Sequence, residues 1–260
     1  MDFLTQVVVF LAYVLAGAVN AVAGGGTVFS FTSLAWAGLP LVQANATNST
    51  ALVPGSFGSA LAFQRDLRDQ WRILLILLAP TILGSLLGAF VVVNTPEAIF
   101  RRIVPFLVLF ATLVFAGRNF LTRLALRNRA EAAKMPVDHI TPMSMALGGA
   151  LQFIIALYGG YFGAGIGILM LTSMSVMGMS NIYRMNALKN PLAIAINGTA
   201  SLFFIASGRV IWSVAWWAAL GALIGGYVVA RLIRGVNQDW IRSGVIVAGL
   251  VVTVWMFIRL

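Results

Sequence analysis

Long apolar segments, separated by short polar or turn-forming stretches, occupy almost the whole chain. A helix that spans a bilayer needs about 20 apolar residues, and several segments reach that length. Glycine, proline and charged residues mark most boundaries, for example at Gly38-Leu39-Pro40. The pattern predicts an all-α fold, a polytopic membrane helical bundle. Its apolar segments are Phe3–Ala23, Val28–Ala37, Leu41–Phe63, Trp71–Val93, Ala98–Ala116, Met143–Tyr158, Phe162–Met177, Ile182–Ala206, Ile211–Ile233 and Trp240–Ile258.

The composition agrees with a membrane protein and excludes other classes. Hydrophobic residues make up 60% of the 260 residues and charged residues only 9%, whereas a soluble domain carries about 25% charged residues. Cysteine is absent and His139 is the single histidine, so we expect no metal site and no cofactor. Basic cytoplasmic loops explain the net charge of +10 better than nucleic acid does. The expected partners are therefore the lipid bilayer and a small substrate, with no nucleic acid.

Landmarks of the first half recur in the second half at an offset of about 141 residues. Asn45-Ala46 matches Asn186-Ala187, and Trp71 matches Trp212. Internal duplication is a common build of secondary transporters; the alternative is that small residues recur in any helix bundle. We predict two homologous halves. The chain then divides into a first membrane repeat at 1–117, a basic linker at 118–141 and a second membrane repeat at 142–260.

Loop charges bear on the orientation of the two halves. The loop after the third segment carries Arg65 and Arg68, whereas its counterpart in the second half carries only Arg209. The following loop has the opposite imbalance, with more arginines in the second half. Because positive loops face the cytoplasm, this swap favours inverted repeats, with the linker cytoplasmic and both termini outside.

Inverted repeats require an odd number of crossings in each half. The segments Phe3–Gly38 and Met143–Gly178 would then leave and return on the same side of the membrane. Each is long for one helix and is interrupted by glycines. We therefore expect each half to start with a glycine-broken helical hairpin; the alternative is one tilted, kinked helix in each half, with parallel repeats.

The glycine clusters are the first candidate site. Unwound backbone at membrane depth is tolerated where it is buried in protein or lines a cavity, and its free amides, with the positive end of the following half-helix, can hold an anion. Close helix packing is the alternative role. Matching positions in both halves favour a binding site made of Gly24, Gly25, Gly26, Thr27, Gly163 and Gly165.

Polar residues at the start of the following helices form the second candidate site. They lie three and four residues apart and so share one helix face; facing lipid would be costly for them. Lys189 lies inside an apolar segment, and the seven acids all lie at segment ends or in loops, so a bound anion or a set of carbonyls is its expected partner. The alternatives are helix capping for the polar side chains and snorkelling of Lys189 to the interface. The candidates are Asn45, Asn48 and Ser49, then Asn186, Lys189 and Asn190. Asn197 would extend the stripe two helical turns further on, and helix packing is its alternative role.

A search for catalytic groups finds none. The sequence has no carboxylate pair inside an apolar segment, no histidine cluster and no phosphate-binding loop of the Walker type. We therefore predict that the protein is not an enzyme.

These residues resemble the TauE/SafE family of membrane anion exporters, also called the sulfite exporter family. The resemblance rests on the stretch from Gly24 to Asn48 with Pro54-Gly55 after it, on Tyr161–Gly167, and on the stretch from Arg184 through Asn197 to Trp212. It implies export of sulfite, sulfoacetate, another organosulfonate or another small anion across the bacterial inner membrane. The site glycines, asparagines and lysine would line the pathway. Thr32 departs from the family, which often has proline there.

Three functions remain open at this stage. A secondary transporter that exports a small anion is the first. An anion channel or uniporter is the second, and a non-transporting membrane scaffold is the third. The sequence leaves the coupling ion and the oligomeric state open, with a homodimer as one alternative.

Overall fold

The computed structural model describes residues 1–22, 25–62, 67, 70–117, 141–179, 181–229 and 238–259. Gly24, most of the basic linker with His139, and the loop arginines Arg65 and Arg68 lie outside this part of the chain. The described residues form α1 (Phe3–Val22), α2 (Thr27–Trp36), α3 (Leu41–Ala62), α4 (Trp71–Asn94), α5 (Glu97–Ala116), α6 (Pro142–Tyr161), α7 (Ile166–Val176), α8 (Ile182–Ala206), α9 (Trp212–Ile224, continued by a π-helical turn at Gly225–Val229) and α10 (Gln238–Arg259).

The first apolar stretch of each half is broken into two helices at its glycines. The chain leaves the helical path between α1 and α2 and again between α6 and α7. Gly25, Gly163 and Gly165 adopt φ values of +87°, +81° and +80°, which side chains with a Cβ rarely adopt. In both places the two helices contact each other. The predicted glycine breaks are therefore present in the structure.

Helix α2 runs without interruption through the position at which the resembled family often has proline. The Thr32 hydroxyl donates a hydrogen bond to the Val28 carbonyl one turn earlier. A proline at this position would remove the backbone amide that continues the helix. Threonine therefore keeps α2 regular, and the break stays confined to the glycines.

The order and spacing of the first five helices recur in the second five. Helices α6 to α10 each begin 139 to 141 residues after their counterparts α1 to α5. This recurrence is what the predicted duplication requires. The orientation of one half relative to the other stays a prediction.

Helices of one half pack on helices of the other half. Helix α1 packs on α9 and α6 packs on α4, so the first helix of each half lies against the fourth helix of the other. Helix α3 packs on α8, and α5 packs on α10. Small residues allow the close approach: a Cβ built on Gly88 of α4 would overlap the Leu157 carbonyl oxygen of α6, and one on Gly225 would overlap the Val14 carbonyl oxygen of α1.

Many large apolar side chains of the described helices are exposed. On α4, Leu83 and Phe90 are exposed, whereas Gly84 and Gly88 are buried against the bundle. Such an exposed apolar face suits contact with lipid. Four of the described helices are long and apolar enough to cross a membrane; their apolar spans are Phe3–Asn20, Trp71–Asn94, Glu97–Ala116 and Pro142–Tyr161.

Candidate functional site

The two glycine breaks converge on one turn of α5. A Cβ built on Gly25 would lie 3.1 Å from the Phe115 ring. A Cβ built on Gly165 would lie 3.7 Å from the Ala111 carbonyl oxygen and 3.8 Å from Val114. Because Ala111 and Phe115 are about one helical turn apart, residues that are distant in the sequence meet at the same part of α5.

The first break turns the chain back along α1. The Gly26 amide donates a hydrogen bond of 2.7 Å to the Asn20 side-chain oxygen. A Cβ built on Gly26 would overlap the Ala16 carbonyl oxygen, so glycine is required there by the close approach of α1. Thr27 is half-buried and begins α2. Of the predicted residues in this break, Gly24 lies outside the described part of the chain.

The second break is closed by hydrogen bonds of the α6 end. The amides of Phe162 and Gly163 both donate to the Tyr158 carbonyl, at 2.8 and 3.1 Å. The Tyr158 hydroxyl donates to the Ala164 carbonyl at 2.8 Å. Gly165 then precedes α7 in a left-handed conformation. The chain passes from the carbonyl end of α6 to the amide end of α7 within a few residues.

The polar face of α3 is turned into the protein, as predicted. Asn45, Asn48 and Ser49 have exposures of 0%, 1% and 7%. The Asn45 amide donates to the Tyr161 carbonyl at 2.9 Å, at the end of α6. The Asn48 side-chain oxygen accepts from the Tyr13 hydroxyl of α1 at 2.9 Å. Neither asparagine caps the start of α3, so the capping alternative does not apply to them.

Lys189 of α8 lies along the first turn of α7. A Cβ built on Gly167 would lie 3.7 Å from the Lys189 Cδ atom. Gly167 is two residues beyond Gly165, and Lys189 is half-buried. The aliphatic stem of a lysine therefore packs at the end of a helix where backbone amides lack partners within the helix. The remaining predicted residues of α8, all buried or half-buried, are Asn186, Asn190 and Asn197.

The contacts bring part of the predicted set together. Gly25 and Gly165 meet at α5, Asn45 reaches the end of α6, and Lys189 reaches the start of α7. The described hydrogen bonds and close contacts do not join every predicted residue to the two breaks. Asn48, for example, pairs with Tyr13 of α1.

Sequence reasoning missed one buried polar side chain in the first helix of each half. Tyr13 of α1 pairs with Asn48, and Gln152 of α6 donates to the Thr81 hydroxyl at 3.0 Å. Tyr13 and Gln152 stand at equivalent positions when α1 is aligned with α6. A polar group at matching positions of two apolar helices was a signal available in the sequence.

A carboxylate at the start of α3 was also missed. Glu97, the first residue of α5, accepts hydrogen bonds from the amides of Leu41 and Val42. These amides belong to the first turn of α3, where a negative charge is favourable. Glu97 thus ties α5 to the helix that carries Asn45.

A cavity of about 300 Å³ lies at a different place. It opens between the start of α1 and the start of α9, and its described lining includes none of the predicted site residues. Its lining residues are Met1, Gln6, Val9, Leu39, Ile211, Ser213, Val214 and Trp217.

Comparisons with known proteins bear on the whole chain. The model of the family described as sulfite exporter TauE/SafE matches residues 9–256. A probable membrane transporter protein of Haemophilus influenzae is 27% identical over 255 residues, which cover 96% of this chain and 93% of the relative. The probable membrane transporter protein YfcA of Escherichia coli K12 is 27% identical over 250 residues, with 95% and 87% coverage. No solved structure matches the chain.

Proposed function

Because the chain belongs to the sulfite exporter TauE/SafE family of membrane transporters, we propose that it is a secondary transporter that exports a small anion across the bacterial inner membrane. The proposed cargo class is sulfite, sulfoacetate or another organosulfonate. The relatives' names state membrane transport without a substrate, so the cargo class rests on the family and on the chemistry of the site.

The observation that carries the proposal is the meeting of Lys189 with the first turn of α7 beside the second glycine break. The start of a helix has unpaired amides and a partial positive charge, which favour an anion. The Lys189 side chain passes this helix end with its Cδ atom, and in the proposed site its ammonium group supplies a full positive charge. Asn186, Asn190 and Asn197 of the predicted set lie on the same helix as Lys189, and their side-chain amides are neutral donors.

Transport requires the site to open to each side of the membrane in turn. We propose that the two halves are inverted repeats and that each broken pair, α1–α2 and α6–α7, moves against the remaining helices. The support is the packing between the halves: α1 packs on α9, and α6 packs on α4. Rocking of one repeat against another around a site near the midplane is the usual mode of such folds.

The ligand class can be tested by thermal stabilisation of the purified protein. A ligand that binds the native state raises Tm. We expect sulfite or an organosulfonate to raise Tm at constant cation concentration and ionic strength. Loss of a charged hydrogen-bonding group weakens binding by about tenfold to a hundredfold, so Lys189→Ala should shift the concentration dependence by that factor.

Arg209→Ala is the matched control, because it removes a positive charge from an exposed residue beyond the end of α8. It should keep the anion response of the wild type. An anion response that is the same in Lys189→Ala and wild type would contradict the proposed role of Lys189. A panel in which no small anion changes Tm would contradict the proposed ligand class.

A further inference from the structure

One atom of the candidate site lacks a hydrogen-bond partner. Asn45 is fully buried, and its amide nitrogen donates to the Tyr161 carbonyl. Its Oδ1 atom has no partner among the described residues. A buried polar atom without a partner costs free energy, and in native proteins such an atom calls for an explanation, for example a bound water molecule or ion.

The unpaired atom is an acceptor and not a donor. If the Asn45 amide were turned over, Oδ1 would face the Tyr161 carbonyl oxygen, and two acceptors would be brought together. The hydrogen bond at 2.9 Å therefore assigns nitrogen to the Tyr161 side. What Oδ1 needs is a cation or a hydrogen-bond donor.

The surroundings of Asn45 favour a cation. Tyr161 is the last residue of α6, and the carbonyls of the last turn of a helix carry partial negative charge. The amides of Phe162 and Gly163 both turn back to the Tyr158 carbonyl. The Tyr161 carbonyl accepts a hydrogen bond from the Asn45 side chain. In a continuing helix a backbone amide would be the donor. The buried Asn45 side chain, which carries Oδ1, therefore lies at the carbonyl end of α6.

The available ligands indicate a monovalent ion. The acidic residues whose side chains the structure describes are Asp2, before α1, and Glu97, whose carboxylate accepts hydrogen bonds from the Leu41 and Val42 amides at the start of α3. Among the described residues no group of His, Cys, Asp or Glu is suited to a metal ion. Divalent cations take carboxylate ligands, whereas Na⁺ in broken-helix transporters is held by unwound carbonyls and helix ends.

We propose that Asn45 Oδ1 and the carbonyl end of α6 bind Na⁺. The site lies on the carbonyl side of the second glycine break, and α7, with Lys189 along its first turn, begins on the other side. A cation and an anion bound on the two sides of one break attract each other. The role of Na⁺ as the coupling ion rests on the proposed function; its binding does not.

The test measures Tm of the purified protein in Na⁺, Li⁺, K⁺ and choline salts of one common anion at constant ionic strength. We expect Na⁺ to raise the wild-type Tm by about 3–5 °C relative to choline, as a bound ligand does for a protein of this size. Equal Tm in all four salts would overturn the proposal. This comparison of salts uses the wild-type protein alone.

Two variants assign the effect to Asn45. Asn45→Ala should lose the Na⁺-dependent part of Tm, whatever its Tm in choline. Asn48→Ala is the matched control, since Asn48 is a buried asparagine on the same helix whose oxygen already accepts from Tyr13; it should keep the Na⁺-dependent rise. A rise that survives in Asn45→Ala would overturn the assignment.

The coupling role has its own readout. In proteoliposomes, an inward Na⁺ gradient should change anion efflux at least threefold relative to a K⁺ gradient of equal size. Anion transport without any Na⁺ effect on Tm or flux would contradict the cation site and leave the proposed function standing. Na⁺-dependent Tm without anion transport would support the cation site and contradict the proposed function.

Discussion

Removal of the Tyr13 hydroxyl should destabilise the protein by a predictable amount. In Tyr13→Phe the ring stays and the hydrogen bond to the Asn48 oxygen is lost. Hydrogen bonds inside membrane proteins contribute about 0.6 kcal/mol on average and up to about 1.7 kcal/mol. Both side chains are at most 1% exposed, so no water replaces the hydroxyl, and we expect a loss near the upper value, about 1–1.7 kcal/mol.

The assay is thermal unfolding in detergent. One kcal/mol corresponds to about 2–4 °C for a protein of this size, so Tm of Tyr13→Phe should fall by about 2–6 °C. Tyr161→Phe is the control: the Tyr161 ring packs edge-on against Phe100, and the structure describes no hydrogen bond of its hydroxyl. A Tm of Tyr13→Phe equal to that of Tyr161→Phe would refute the reasoning.

Two further predictions concern packing and topology. Gly88→Ala should destabilise the protein by about 1–3 kcal/mol through overpacking, because the new Cβ would overlap the Leu157 carbonyl oxygen of α6; Gly149→Ala, on a face of α6 with open space, should be tolerated. Equal melting temperatures of the two variants would contradict the close approach of α4 and α6. A reporter fused to the C-terminus should report the outside of the cell, and a cytoplasmic signal would overturn the inverted repeats.

The sequence predicted the helices and the breaks because both depend on local properties. Apolar length decides which segments form long helices in a bilayer, and α4, Trp71–Asn94, follows the apolar run Trp71–Val93 almost residue for residue. Glycine decides where the backbone leaves the helical path, as at Gly25 and Gly165. The shared face of Asn45, Asn48 and Ser49 followed from helical spacing alone.

The partners of those side chains did not follow from the sequence. Spacing shows that Asn45 and Asn48 share a face, and it does not show that one reaches the Tyr161 carbonyl and the other the Tyr13 hydroxyl. Nor does it show that Gly25 and Gly165 meet at the same turn of α5. These contacts arise because helices of one half pack on helices of the other half. Such packing is a property of the tertiary structure. The role of Glu97 at the start of α3 was hidden for the same reason.

Efflux of sulfite from preloaded proteoliposomes tests the central claim most directly. The claim is that a small anion crosses the membrane through a site that includes Lys189. It predicts efflux that saturates with sulfite concentration in the wild type and in Arg209→Ala, and that falls at least tenfold in Lys189→Ala, as expected for loss of a charged contact. Flux that never saturates would indicate a channel instead. Efflux equal to that of protein-free liposomes, or undiminished in Lys189→Ala, would contradict the account.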